Sequence, residues 1–185
     1  LYDDGASSVL DVLAADWKDY CLPWKCDKLL EANEERKKQV REALDSLNFQ
    51  KTSQNSLVLF NPDWGEGIVG LIAGKLCEKY YLPVIVFTRS KDGNLKGSGR
   101  SIPGIHLKDV LDHIPKTLMI GYGGHEGAAG LSIKEADFKL FKSEFQKACG
   151  NLPPKPEITY DLDLPFDIAD TLKELENYRP YGPKN

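Results

Sequence analysis

The sequence lacks the features that mark several large protein classes. It has no apolar run near the ~20 residues that a membrane-spanning helix needs. It contains neither the lysine loop of P-loop nucleotidases nor the G-x-S-x-G elbow of serine hydrolases. No cluster of Asp and His residues could hold two metal ions. These absences argue against a membrane protein, against both of those enzyme classes and against a metal site within these 185 residues.

Cysteine is scarce and badly spaced for metal binding. The four cysteines are Cys21, Cys26, Cys77 and Cys149. The first two lie farther apart than in a zinc knuckle, and no Cys or His pair follows them at ligand spacing. We therefore expect reduced thiols, no metal and a cytoplasmic location.

Positive charge is also in short supply overall. The formal net charge is −4, which argues against a protein that coats nucleic acid by bulk charge. Residues 89–100, RSKDGNLKGSGR, nevertheless carry four basic side chains against one acidic side chain. A local basic surface is therefore still expected.

Residues 55–149 alternate short apolar runs with amphipathic helical patterns. The predicted strands are 55–60, 83–88, 96–101, 117–120 and 128–133, and the predicted helices are 66–81, 106–114 and 136–149. This order predicts an α/β fold with a mixed or mostly parallel sheet flanked by helices.

The flanking segments predict three parts in the chain. Residues 1–50 predict a helical connector, in which a long helix over 27–48 is capped by Asp27. Residues 51–150 form the α/β domain, and 151–185 form a proline-rich linker and the start of a further, β-rich domain. Because the first residue is Leu rather than Met, we expect a piece of a longer protein.

The segment GYGGHEGAAGL, residues 121–131, is the first candidate site. Gly123 and Gly124 are expected to take positive φ angles and to form a nest of backbone N–H groups for an anion. His125 would project from that nest among small neighbours. The alternative is a tight turn in which His125 caps a carbonyl group.

The segment KGSGRSIPG, residues 96–104, is the second candidate. Arg100 lies between Ser98–Gly99 and Ser101, a setting suited to a bidentate phosphate contact supported by hydroxyl and N–H donors. The alternative is a solvated hairpin tip.

The strand-to-helix junction NPDWGEGIVG, residues 61–70, is the third candidate. Trp64 could stack on a base, or it could simply fill the core. Gly67, Gly70 and Gly74 line one side of the predicted helix, which suggests the close approach of a backbone or a ligand.

These motifs resemble a known family. GGHEGAAG, residues 123–130, fits the GGHxxAAG signature of the DHH-associated domain, the C-terminal substrate-binding domain of DHH phosphoesterases. The segments 96–102 and 64–76 resemble, in order and spacing, the RecJ branch of single-strand-specific 5′ exonucleases.

The flanking segments extend this resemblance to most of the chain. Residues 27–38 resemble the connecting helix of the RecJ branch, with Asn33 and Arg36 at its key positions. Residues 178–185, YRPYGPKN, are similar to the entry into that branch's oligonucleotide-binding-fold domain.

The resemblance implies that the whole protein removes nucleotides from the 5′ end of single-stranded DNA in repair and recombination. A DHH domain outside this sequence would hold two Mn²⁺ or Mg²⁺ ions, and this part alone would contain no catalytic residue and be inactive. Arg100 and His125 would engage substrate phosphate, while Gly123–Gly124 and Ser98–Ser101 would shape the pocket. Single-strand-binding or recombination proteins are the expected partners, with no membrane association.

The family usually has Trp-His-x-Gly where this sequence has Trp64 and Gly65, so one polar substrate contact is in question.

Three alternatives remain beside the RecJ interpretation. A nanoRNase or cyclic-dinucleotide phosphodiesterase usually ends soon after this domain, and 151–185 argues against it. A non-catalytic nucleic-acid-binding module is the second, and an alanyl-tRNA-editing relative, whose zinc ligands are missing from this sequence, is the third.

Overall fold

A computed structural model describes residues 12–15, 22–47 and 55–150. The chain divides into two compact units, residues 1–154 and 155–185, and all described residues belong to the first. The strand expected at 158–164 and the motif at 178–185 lie outside the described residues. The prediction of three parts in the chain therefore stays a prediction.

Helix α1 covers Leu22–Asp45. It begins five residues before the predicted cap, so Asp27 lies inside the helix and the capping prediction was wrong. Pro23 stands in the first turn, where its missing N–H and fixed φ are tolerated. Ala43 is buried, and Val40 and Leu44 pack partly against the core. The C-terminal half of α1 thus docks on the domain.

Within residues 55–150 five strands form one sheet in the order β1-β2-β3-β5-β4. They are β1 (Leu57–Phe60), β2 (Val84–Arg89), β3 (Leu95–Arg100), β4 (Gly121–Gly124) and β5 (Ala128–Ile133). Strands β1 and β2 are parallel, and the other three neighbouring pairs are antiparallel. The predicted α/β fold is therefore confirmed, with a mixed sheet. Parallel neighbours need a long crossover connection, and the chain between β1 and β2 contains the helix Val69–Tyr80.

Three helices complete the described domain. They are α2 (Val69–Tyr80), α3 (Leu107–Asp112) and α4 (Phe138–Ala148), with 3₁₀ turns at Lys116–Leu118 and Glu135–Asp137. Strand β2 is buried on both faces: Val84 and Val86 pack in a cluster with α2, and Ile85 and Phe87 pack in a cluster with α3 and α4. Alternate side chains of one strand thus anchor both layers.

The segment before the glycine motif differs from the prediction. Residues 117–120 were expected to form a strand, but a 3₁₀ turn follows Pro115, whose carbonyl accepts from the Leu118 N–H at 3.0 Å. The strand begins instead at Gly121, within the segment predicted as a loop. The four residues of this strand, GYGG, bury little side chain. They can still form a strand because the hydrogen bonds of the ladder involve only backbone groups.

Candidate phosphate-binding site

The sheet brings the two glycine-rich motifs together. Strands β3 and β5 are antiparallel neighbours, so Arg100 at the end of β3 pairs with Ala128 at the start of β5. The Ser101 N–H donates to the Gly127 carbonyl at 3.0 Å. The turn that carries His125 therefore lies directly beside the Arg100 backbone.

Local contacts hold the Arg100 side chain, which is half-buried. Its Nη1 donates to the Gly99 carbonyl at 2.8 Å and to Ser98 Oγ at 3.3 Å. A guanidinium group has five N–H donors in a planar fork, so these two contacts leave donors for a ligand. Arg100 is thus positioned in advance by its own strand.

Two other residues of this segment have structural roles. Ser101 Oγ donates to the Ile105 carbonyl at 2.7 Å, so its proton holds the following loop together. Gly99 is buried, and a Cβ there would lie 2.8 Å from Leu107 Cδ2. In this structure Ser101 and Gly99 support the pocket region through packing and loop geometry rather than as exposed phosphate donors.

One glycine of α2 approaches this site closely. A Cβ at Gly70 would lie 3.0 Å from Ser98 Oγ and 3.4 Å from Arg100 Nη2. A Cβ at Gly74 would meet no described atom within 4 Å. The close approach expected along this side of the helix is therefore present at Gly70, where it lets α2 lie against β3.

The His125 side chain is exposed on the turn between β4 and β5. Its Nδ1 accepts from the Gly127 N–H at 3.3 Å, and its backbone N–H donates to the Ala128 carbonyl at 2.8 Å. An accepting Nδ1 leaves the proton of a neutral imidazole on Nε2. The ring therefore presents an N–H donor at the end of the sheet nearest Arg100.

The nest expected at Gly123–Gly124 is not formed, and that prediction was wrong. Gly124 has a φ of 157°, but Gly123 is not among the described residues with positive φ and pairs with Gly130 in the sheet. A Cβ at Gly124 would lie 2.6 Å from Ala129 Cα and would also collide with the Ala128 carbonyl oxygen. Gly124 is needed for close strand pairing, and Gly123 lies in the extended ladder opposite Gly130 rather than in a turn that would form a nest.

Trp64 belongs to the core rather than to a stacking surface. It is 9% exposed and packs in the cluster with Ala43 and Ile68, while its carbonyl accepts from the Thr88 hydroxyl. Base stacking requires an accessible ring face, so we correct the substrate-binding assignment of Trp64. A Cβ at the neighbouring Gly65 would meet no described atom within 4 Å, so crowding does not explain the missing family histidine.

Three cysteines in the described part of the chain, Cys26, Cys77 and Cys149, are free thiols. Burial raises the pKa of Cys77, and it raises the pKa of Cys149 to about 12. Because the thiolate is the form that attacks electrophiles and binds metals, Cys77 and Cys149 suit neither task at neutral pH.

The described ranges contain no group of three His, Cys, Asp or Glu residues that could hold a metal ion. None of the helices in those ranges is long and apolar enough to cross a membrane.

Arg100 also lines a groove that the sequence analysis did not predict. It lies between α1 and α2 and contains Arg36, Arg41 and Lys75. Arg36 had been singled out by resemblance alone. The placement of Arg41 and Lys75 depends on how the two helices dock, for which the sequence offered no signal.

Comparisons with known proteins agree with this architecture. The single-stranded-DNA-specific exonuclease RecJ of Escherichia coli K12 is 43% identical over 97 residues, which is 51% of this chain and 17% of that protein. A crystal structure of Thermus thermophilus RecJ with Mg²⁺ matches with a TM-score of 0.80 at 26% identity, over 96% of this chain and 28% of that one. The same protein with Mn²⁺ matches with a TM-score of 0.80 at 25% identity, over 96% and 27%.

The chain thus spans about a sixth of the E. coli relative and little more than a quarter of the solved structures. The family model of the DHHA1 domain matches residues 53–151, which is more than half of the chain. Sequence and fold agree on one conclusion: the chain belongs to the DHHA1 domain family and is RecJ-like.

Proposed function

We propose that this chain binds substrate phosphate for a RecJ-like exonuclease that degrades single-stranded DNA from its 5′ end. The observation that carries the proposal is the pairing of β3 with β5, which sets Arg100 beside the His125 turn. The printed name of the E. coli relative, a single-stranded-DNA-specific exonuclease, supports the choice of substrate.

The chemistry suits a phosphate with two accessible oxygens. The guanidinium fork of Arg100 donates to both oxygens, and charge assistance makes such contacts stronger than neutral ones. The Nε2–H of His125, on the turn beside the Arg100 backbone, adds a further donor. These groups bind and orient the phosphate.

The rest of the reaction belongs to other parts of the protein under this proposal. Solved RecJ structures contain Mg²⁺ or Mn²⁺, and ligands for such ions would come from outside the described residues. The three-part arrangement, with a connector at 1–50, a substrate-binding domain at 51–150 and a further domain from 151, is part of the same proposal. The protein would act in the cytoplasm in DNA repair and recombination, with single-strand-binding or recombination proteins as partners.

A fluorescence anisotropy titration tests the phosphate site. The probe is a labelled, 5′-phosphorylated single-stranded oligonucleotide at low salt. Arg100→Ala and His125→Ala are compared with Arg89→Ala and His113→Ala, which remove exposed side chains of the same types at other positions.

We expect both site variants to weaken binding and both control variants to bind like the wild type. Inorganic phosphate should compete with the oligonucleotide for the wild type and much less for Arg100→Ala. Equal binding by all five proteins would contradict the proposal.

A further inference from the structure

Arg100 also lines a groove between α1 and α2, with a cavity volume of about 500 Å³. Five basic residues and one acidic residue, Glu78, contribute to its walls. The basic residues are Arg36, Lys37, Arg41, Lys75 and Arg100. In a chain whose net charge is −4, this is a marked local excess of positive charge.

Part of the groove lining is small and apolar. Gly70 and Gly74 of α2 expose backbone there, and Val40 and Leu71 add apolar surface. Because glycine has no side chain, an extended ligand would lie close to the α2 backbone. A lining that combines apolar surface with basic side chains suits a strand whose sugars and bases contact the apolar part and whose phosphates contact the basic side chains.

The basic side chains are incompletely neutralised. Arg36 Nη2 donates to Asn33 Oδ1 at 2.6 Å, but the buried Arg36 Nε has no hydrogen-bond partner among the described residues. A buried donor without an acceptor is costly, so the hydrogen-bonding capacity of the Arg36 guanidinium is not exhausted by its contact with Asn33. Lys75 pairs with Glu78 at 3.2 Å, but exposed pairs of this kind are weak and readily exchanged.

The groove is too long for a single phosphate. From Gly70 to Glu78 it follows two turns of α2, a length of about 12 Å at the rise of an α-helix. One end is at Arg100, where the proposed function puts the first phosphate. A chain of phosphates that starts at Arg100 therefore fits the groove better than a free anion does.

We propose that the DNA strand continues from Arg100 into this groove, where Arg36, Arg41 and Lys75 contact the phosphates that follow. The inference rests on the proposed function because it extends the same site. It assigns the connector helix a direct part in substrate binding.

Salt dependence provides the test. For single strands each phosphate contact contributes about 0.7 to the slope of log affinity against log salt. Arg41→Gln and Lys75→Gln alter exposed side chains, so the fold should be kept. Each should lower the slope by about 0.7 for an oligonucleotide of about ten nucleotides. Neither should change the binding of a 5′-phosphorylated mononucleotide, which reaches Arg100 alone.

Lys38→Gln on α1 and Lys139→Gln on α4 are matched controls, because each removes one positive charge outside the groove. Both controls should keep the wild-type slope. Groove variants that behave like the controls, while Arg100→Ala weakens binding, would overturn the inference and leave the proposed function intact. If Arg100→Ala also binds like the wild type, the proposed function fails as well.

Discussion

Gly124 is the position where the glycine motif is most constrained. A Cβ there would lie 2.6 Å from Ala129 Cα, which is backbone and cannot move aside without breaking the strand pair. At Gly123, one residue earlier, a Cβ would meet no described atom within 4 Å. We therefore expect Gly124→Ala to lower the free energy of unfolding by at least about 2 kcal/mol.

Gly123→Ala is the matched control and should change that free energy by no more than about 0.5 kcal/mol. Urea denaturation followed by circular dichroism measures both variants. Equal stability of the two variants would contradict the strand pairing described here and would favour a flexible loop instead.

The proposed phosphate-binding residues could be selected from the local sequence, whereas the roles of their neighbours could not. Arg100 and His125 stand out because a charged or titratable side chain among glycines is unusual at the level of local sequence. The roles of Gly99 and Trp64 depend on Leu107 and Ala43, which are distant in sequence. Those roles required tertiary packing and could not have been derived from the local pattern.

Helix α2 offers a second matched pair, Gly70 and Gly74. In a helix interior, alanine is more favourable than glycine by about 1 kcal/mol. We expect Gly74→Ala to stabilise the protein by about that amount, because its Cβ meets no described atom within 4 Å. Gly70→Ala should gain less, because its Cβ crowds Ser98 Oγ at 3.0 Å.

The same pair separates stability from binding. The Cβ of Gly70→Ala would also lie 3.4 Å from Arg100 Nη2, so this variant should bind a 5′-phosphorylated oligonucleotide several-fold more weakly. Thermal unfolding and anisotropy on the same samples give both readouts. Unchanged binding by Gly70→Ala would show that the Arg100 guanidinium does not depend on the space beside α2.

An ion pair connects β3 with the segment before α2. Lys96 Nζ lies 2.9 Å from Glu66 Oε2. The hydrogen bond from Lys96 holds the pKa of Glu66 below its ordinary value of 4.5, and the hydrogen bond to Glu66 raises the pKa of Lys96. A lowered carboxyl pKa means that the pair stabilises the fold above the ordinary pKa and that this contribution is lost as the pH falls through the lowered one.

We therefore expect Glu66→Gln to be less stable than the wild type at pH 7 and to approach it below a pH of about 4. Because the lysine pKa is raised, the wild-type advantage should also persist below the ordinary lysine pKa and vanish as the pH rises through the raised value. Urea titrations across this range measure the difference. A difference that remains constant down to pH 3 would rule out the carboxylate as its source.

Elements could be predicted wherever an apolar period was clear. Strand β2 and helix α4 appear within about two residues of their predicted bounds, since VIVFT and the repeated phenylalanines of α4 leave few alternatives. Strand β4 was missed because GYGG has little β propensity. It exists through its pairing with β5, a contact that no local pattern encodes.

The described part of the molecule as a whole is built around one sheet. Strand β2 is buried on both faces, so the layer of α1 and α2 and the layer of α3 and α4 share a rigid centre. The proposed phosphate site lies where β3 ends, and the groove lies between α1 and α2. The packing of α1 against α2 therefore forms the groove beside the proposed phosphate site.

The set of possible metal ligands predicts how the chain responds to metal ions. The described residues contain no group of three His, Cys, Asp or Glu side chains suited to a metal. A ligand that binds only the folded state raises the melting temperature, and the stabilisation grows with the logarithm of its concentration relative to its Kd. We expect neither Mn²⁺ nor EDTA to shift the melting temperature of the purified chain, and we expect no hydrolysis of single-stranded DNA in either condition.

The oligonucleotide from the binding assay serves as the control ligand, because under the proposed function it should raise the melting temperature of the same sample. A saturable shift with Mn²⁺ would mean that the chain holds its own metal ligands. Mn²⁺-dependent hydrolysis that disappears in Arg100→Ala would go further, because it would make the chain an enzyme by itself. A shift with the oligonucleotide and none with Mn²⁺ would instead mean that this chain binds substrate and that the metal chemistry requires another part of the protein.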